Sequence, residues 1–174
     1  YFAANRFRWT FGDDPDINGT LTFVADDLGN TGVGGPLTDT HVVNLSIGTF
    51  NDPPSLQAPP TADFFAGGSM PVNSIVVLDP DARSGTMRLR VTVDSGYLVA
   101  GTPDGLVVFS GSGTSTLLID GSRSNINTFI ALSKLVYVNP SLAARTATMQ
   151  LLIDDNGNTG GSTLTPLSAT RTIN

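Results

Sequence analysis

The 174-residue chain contains no cysteine. That excludes a disulfide framework and thiolate metal sites alike. It contains no glutamate either, so all 15 acidic residues are aspartates. Lys134 is the sole lysine and the other eight cations are arginines. His41 is the one histidine, on an expected strand with no nucleophile pattern near it, so it reads as a surface or strand-edge residue rather than a catalytic base. Charged residues make up 14% of the chain, low for a globular protein, so solubility rests on Ser, Thr, Asn and Asp, a habit of extracellular β-proteins. The net charge of −6 lacks the cationic face that nucleic acid or an anionic membrane surface requires. No apolar run approaches the roughly 20 residues needed to span a bilayer, and no signal peptide is visible. The chain opens on Tyr1 in mid-pattern, which reads as a segment of something longer.

What the chain does have is an internal copy. Asp154-Asp155-Asn156-Gly157-Asn158-Thr159-Gly160 repeats Asp26-Asp27-Leu28-Gly29-Asn30-Thr31-Gly32 with one difference, 128 residues on. Carried outward without a gap, that offset lays Phe7 on Leu135, Trp9 on Tyr137, Leu21 on Met149, Phe23 on Leu151 and Leu45 on Ile173. Self-similarity at a fixed period marks an array. The organisation expected is the C-terminal part of one repeat over 1–50, a linker at 51–54 (Asn51-Asp52-Pro53-Pro54), and a nearly complete second repeat over 55–174.

Short alternating segments fill both parts. In the first, Phe7–Phe11, Thr20–Ala25 and His41–Ile47 read as strands. In the second, strands are expected near Ala62–Ala66, then at Ser74–Leu78, Thr86–Val93, Gly96–Val99, Leu106–Phe109, Ser115–Ile119, Lys134–Val138, Ala147–Ile153 and Ala169–Ile173. One short helix is expected at Asn125–Leu132, capped by Ser124, with Ile126, Phe129 and Ile130 on one face. Gly 19 and Pro 11 supply the turns between. The fold class is all-β: antiparallel Greek-key β-sandwich repeats with one short helical turn. Phe64, Phe65 and Tyr97 suit either an exposed contact patch or the core, and core burial is the reading preferred.

These landmarks resemble the cadherin-like, proteoglycan-repeat-like sandwich modules strung along large surface adhesins. The residues that carry the resemblance are Asn51-Asp52-Pro53-Pro54, Asp79-Pro80-Asp81-Ala82, the run 125–132, Leu135-Val136-Tyr137-Val138-Asn139-Pro140 and Asp154-Asp155-Asn156-Gly157. The resemblance implies an extracellular or cell-surface location. It also implies a spacer or adhesion role rather than an enzyme, and Ca²⁺ where one unit meets the next. Carried over position by position, the calcium ligands would be Asn51 and Asp52 in the linker, Asp79 and Asp81 in the second unit, and Asp154 or Asp155 in its top loop. Asp13 and Asp14 of the preceding unit would face the same junction. Two departures stand out: Thr49-Phe50 precede the linker pair where those modules carry an acid, and no glutamate is present to complete their calcium motif. The same aspartates also suit a purely structural task, accepting hydrogen bonds from turn and cap amides.

Two triplets, Asn18-Gly19-Thr20 and Asn44-Leu45-Ser46, fit the N-glycosylation pattern. The Ser-Gly-Ser-Gly-Thr run at 110–114 lacks the Lys-Ser/Thr ending of a phosphate loop and reads as a turn. The expected partners are neighbouring repeats or subunits of the same protein, in an array or fibre; the partial first unit is completed either by its missing half upstream in a longer polypeptide or by strands from a neighbouring molecule. The expected role is a stiff structural or adhesive module. The alternative is a binding module whose loops recognise a glycan or a surface protein.

Overall fold

The computed structural model describes residues 19–30, 32–45, 51–102, 105–143, 146–157 and 165–174. The chain divides into two compact units, Tyr1–Thr49 and Phe50–Asn174.

In the smaller unit, β1 (Gly19–Asp26) and β2 (Thr38–Leu45) form an antiparallel hairpin in which Leu21 faces Val43 and Asp26 faces Thr38. Alternation along β1 leaves Leu21 and Phe23 half-buried while Val24 is 64% exposed. The Phe7–Phe11 segment expected as a strand lies outside the described residues.

The larger unit is an antiparallel, sandwich-like all-β fold. Its strands are β3 (Ser55–Gln57), β4 (Ser69–Pro71), β5 (Val76–Leu78), β6 (Thr86–Val93), β7 (Tyr97–Ala100), β8 (Val108–Ser110) and β9 (Thr116–Ser122). After the helix α1 (Arg123–Ala131) come β10 (Leu135–Val138), β11 (Met149–Asp154) and β12 (Ser168–Ile173). One sheet runs β12, β11, β6, β9, β8, a second runs β4, β10, β7, and β3 pairs with β5. Every pairing in these sheets is antiparallel.

The period-2 pattern explains the core. Met87, Leu89, Val91 and Val93 of β6 all point inward, as do Leu117 and Ile119 of β9 and Met149, Leu151 and Ile153 of β11. They meet Leu98, Leu135 and Tyr137 of the three-stranded sheet and Ile126, Phe129 and Ile130 of α1 in one cluster. Burying each such large side chain stabilises the unit by about 1.5–3 kcal/mol. Phe64 packs edge-on against Tyr137, with ring centroids 5.1 Å apart. Phe65 does not follow it into the core and is almost fully exposed, against expectation.

Boundaries also differ from expectation: β2 opens at Thr38 rather than His41, and β5, β8 and β11 each open two residues late. Residues 62–65 form no strand; the edge strand lies later, at β4, where Met70 pairs with Tyr137. The short β3 directly follows the two prolines. The helix starts two residues earlier, capped by the Ser122 hydroxyl, which accepts from the Asn125 amide at 3.2 Å. At its other end Ser133 takes the left-handed conformation usually given to glycine (φ 57°). Its amide and that of Lys134 then close onto the carbonyls of Ile130 and Phe129, satisfying the last turn.

Candidate functional site around the Asn51–Asp52 segment

Among the described residues of the larger unit, the buried charged and amide side chains are Asp79, Asp81, Asn139 and Asp155. Three of the four belong to the expected site. Burial of a carboxylate is costly unless hydrogen bonds replace its water, so their partners show what they do.

Asp155 follows β11. Because Ile153 points inward, Asp154 points out and Asp155 in, and this parity decides which of the pair is the buried acid. One Asp155 oxygen accepts from the amides of Gly157 and Leu167, each at 2.8 Å. The other accepts from the Asn51 side-chain amide at 2.6 Å. The same Asn51 nitrogen lies 3.2 Å from the Thr165 carbonyl. Asp154 stays at the turn, where it accepts from the Asn156 amide at 2.7 Å. Asn156 in turn donates to the Thr86 carbonyl.

The second cluster is the turn after β5. Asp79 Oδ1 accepts from the amides of Asp81 and Ala82, at 3.1 and 2.9 Å, closing the Asp-Pro-Asp bend. The Arg123 guanidinium donates to the Asp79 backbone carbonyl, tying the bend to the start of α1. Asp81 Oδ2 accepts from the Asp52 amide at 3.0 Å. Asp79 is 1% exposed, and its Oδ2 has no hydrogen-bond donor. Burial, together with the neighbouring Asp81 carboxyl, pushes the Asp79 carboxyl up from 3.8 to about 6.

The structure thus brings Asn51 to Asp155, Asp52 to Asp81, and Asp81 to Asp79. Asp13, Asp14 and Asn18 lie outside the described residues. Asn44 lies exposed on β2 opposite Thr20, and His41 is also exposed there. Among the described residues no group of three or more His, Cys, Asp or Glu is placed to hold a metal ion. Both Asp155 oxygens already accept N–H donors, so the donor set around it is that of a hydrogen-bonded clasp. Among the buried carboxylate oxygens of the described residues, Asp79 Oδ2 lacks a hydrogen-bond donor. The sequence reading missed Arg123 as the anchor of the Asp79 bend; a cation just after the Ser122 cap position is the signal available, and a weak one.

The smaller unit carries the same loop. Asp26 accepts from the Leu28 amide at 2.7 Å, and Asp27 accepts from Gly29 and Leu37, each at 2.9 Å. The amide of Asp27 bonds the Leu37 carbonyl at 3.2 Å, as Asp155 bonds Leu167 at 3.1 Å. Leu28 and Asn156 share the left-handed conformation (φ 53° and 56°), as do Gly29 and Gly157 (72° and 66°). The copies are not gapless, however. The offset is 128 from Leu21 to Met149 on the first strand but 130 from Val43 to Ile173 on the second. The second loop is two residues longer, so Ile173 matches Val43 rather than Leu45, and Asn174 matches Asn44.

Compared with known proteins, the chain matches no family profile, no curated protein and no solved structure. The geometry therefore carries the functional argument alone. Among the described residues, no helix is long and apolar enough to cross a membrane.

Proposed function

We propose that this chain is a structural segment of a repeat-built extracellular or cell-surface protein of the cadherin-like kind, a stiff spacer whose partners are neighbouring units of the same protein. One observation carries the reading. The segment entering the larger unit is fastened to it twice, by Asn51 on buried Asp155 and by the Asp52 amide on buried Asp81. Buried charge-assisted hydrogen bonds are each worth about 1.5–3 kcal/mol, enough to hold an entering linker in one direction. The duplicated Asp-Asp loop supports an array, since a device that recurs in two units serves the unit rather than one ligand.

Calcium is the second layer of the proposal. The Asp79–Asp81 pair would hold it, with water completing a shell of six to eight oxygens. A cation there would supply the charge that Asp79 Oδ2 lacks. Glycosylation at the exposed Asn44 fits the same location.

Small-angle scattering on the full chain tests the spacer. Wild type is expected to give a narrow distribution of distances and Asn51→Ala a broader one; a wild type already as broad as the variant contradicts the reading. Thermal melts with calcium and with chelator test the second layer. A calcium-dependent rise of several degrees supports it, and identical melts remove calcium while leaving the hydrogen-bonded fastening in place.

A further inference from the structure

The solvent face of the five-stranded sheet is uneven in charge. Because Met87, Leu89 and Val91 of β6 point inward, Arg88, Arg90 and Thr92 point out. The ladders carry that parity into three rows across β12, β11, β6 and β9. The first row is Ser168, Asp154, Arg88 and Asp120. The second is Thr170, Leu152, Arg90 and Leu118, and the third is Thr172, Gln150, Thr92 and Thr116. In the first row the cation is occupied: Arg88 forks onto both oxygens of Asp120, at 2.7 and 2.9 Å. Beyond the third row Asp94 accepts from the Thr148 amide at 2.8 Å. On β12, Arg171 donates to the Ala58 carbonyl at 3.2 Å. Arg90 differs from both other arginines. It is exposed, and among the described residues its guanidinium has no hydrogen-bond or ion-pair partner. Its neighbours in the row, Leu152 and Leu118, are leucines left half-buried on a solvent face. A cleft of about 330 Å³ opens here, and Arg90, Thr92, Gln150, Leu152, Thr170 and Thr172 line it.

We propose that this cleft binds a saccharide bearing one carboxylate, with the carboxylate on Arg90 and the sugar hydroxyls on Thr92, Gln150, Thr170 and Thr172. The planar guanidinium fork matches a carboxylate with two parallel bonds. Threonine hydroxyls and the glutamine amide both donate and accept, as sugar hydroxyls do, whereas the carboxylates of an acidic peptide only accept. Leu152 gives the C–H face of a sugar ring an apolar surface beside the cation. The acids at the two ends, Asp154 and Asp120 in the first row and Asp94 beyond the third, repel a ligand with a run of negative charges. The net charge of −6 works the same way, so one isolated carboxylate is the charge this face accepts. The volume lies at the small end of the roughly 300–1,000 Å³ range of ligand clefts, which is room for a sugar ring. Binding here uses none of the residues of the Asn51–Asp155 clasp, so the cleft and the spacer reading can fail separately.

The test is a titration of the full chain followed by nuclear magnetic resonance. The probe is a β-linked glucose trisaccharide whose terminal ring is glucuronate; cellotriose, which lacks only the carboxylate, is the neutral control. Saturable binding of the probe is expected, with a Kd of about 1 mM, the strength of one charge-assisted fork and a few neutral bonds. The Arg90 Nε–H and the Gln150 side-chain amide should shift together along that curve. Cellotriose, and the probe with an Arg90→Gln chain, should each bind about tenfold more weakly or less tightly still. Arg90 is exposed, so Arg90→Gln should keep the wild-type melting midpoint. Lys134→Gln removes the same charge from the start of the other sheet's β10 and should change the affinity by less than about twofold. No saturable binding of the probe at about 10 mM overturns the proposal. So does equal binding of cellotriose, and so does an Arg90→Gln chain that binds as well as wild type. A tri-aspartate peptide that binds as tightly as the probe would assign the cleft to acidic peptides and overturn it too.

Discussion

The two Asp-Asp loops are the same device in different surroundings. Each uses its second aspartate to gather the amide two residues on and the amide that begins the return strand. Each places its third and fourth residues in the left-handed region. Yet Asp155 is fully buried while Asp27 is not, and among the described residues Asp155 takes a third donor, Asn51, where Asp27 has two. A turn motif can therefore be copied intact while its role changes. Among the described residues it closes a hairpin in the smaller unit; in the larger it also receives the segment that enters the fold.

That contrast is open to attack by substitution. The largest difference is expected in the strands below the loops. Leu151→Ala empties a site that is 1% exposed and should cost about 2–5 kcal/mol in chemical denaturation. Phe23→Ala, at the copied but half-buried position, should lower the unfolding midpoint less, although it deletes the larger side chain. Equal losses would mean the two hairpins are packed alike. Next, Asp155→Ala takes the shared acceptor from the buried amides of Gly157 and Leu167 and removes the bond from Asn51, a loss of about 3 kcal/mol. Asp27→Ala should give a visibly smaller shift of the midpoint.

The acids also answer pH in opposite directions. Asp79 in the folded chain titrates at about 6, above its ordinary 3.8, chiefly through burial. The folded state then binds the proton more tightly than the unfolded one, so its strain is greatest above pH 6 and relieved as pH falls toward 4. Asp79→Asn should raise the midpoint at pH 7.5 and leave it nearly unchanged at pH 4. Asp27 is held below its ordinary value by the amides of Leu37 and Gly29. Its contribution is present above that value and lost as pH falls through the lowered one. Melts between pH 3 and 8 on Asp79→Asn and Asp27→Asn check both signs.

The smallest effect sharpens the comparison from the other side. Leu28 is exposed and left-handed, a conformation that suits the asparagine at its copy, Asn156. Leu28→Asn should stabilise the smaller unit by up to about 1 kcal/mol, read as slower exchange of the Gly29 and Leu37 amides.

Much of the fold is written in local pattern. Strict alternation in Thr86–Val93 and Met149–Asp154, and the spacing of Ile126, Phe129 and Ile130, made those elements legible, because one face of each must be buried. The short edge strands were not legible. Ser55–Gln57 and Ser69–Pro71 have three residues each, too few for a period, and they exist because Val76–Leu78 and Leu135–Val138 offer them ladders. The helix start was misplaced because Ser122 and Ser124 are equally good caps locally; the buried face of α1 decides between them. The repeat was visible through its loop, but the two-residue insertion was not, since an even shift preserves which side chains face inward. Of the candidate site, the residue types were legible and the pairings were not. Asn51 and Asp155 stand 104 residues apart, and only the packed unit brings them together.

The clasp between Asn51 and Asp155 is the claim on which the spacer reading turns, and a double-mutant cycle measures it directly. Asn51→Ala, Asp155→Ala and the double variant are compared by chemical denaturation. A coupling of about 1.5 kcal/mol is predicted for a charge-assisted bond of this kind. Losses that add to within about 0.5 kcal/mol would show that the entering segment is not fastened there.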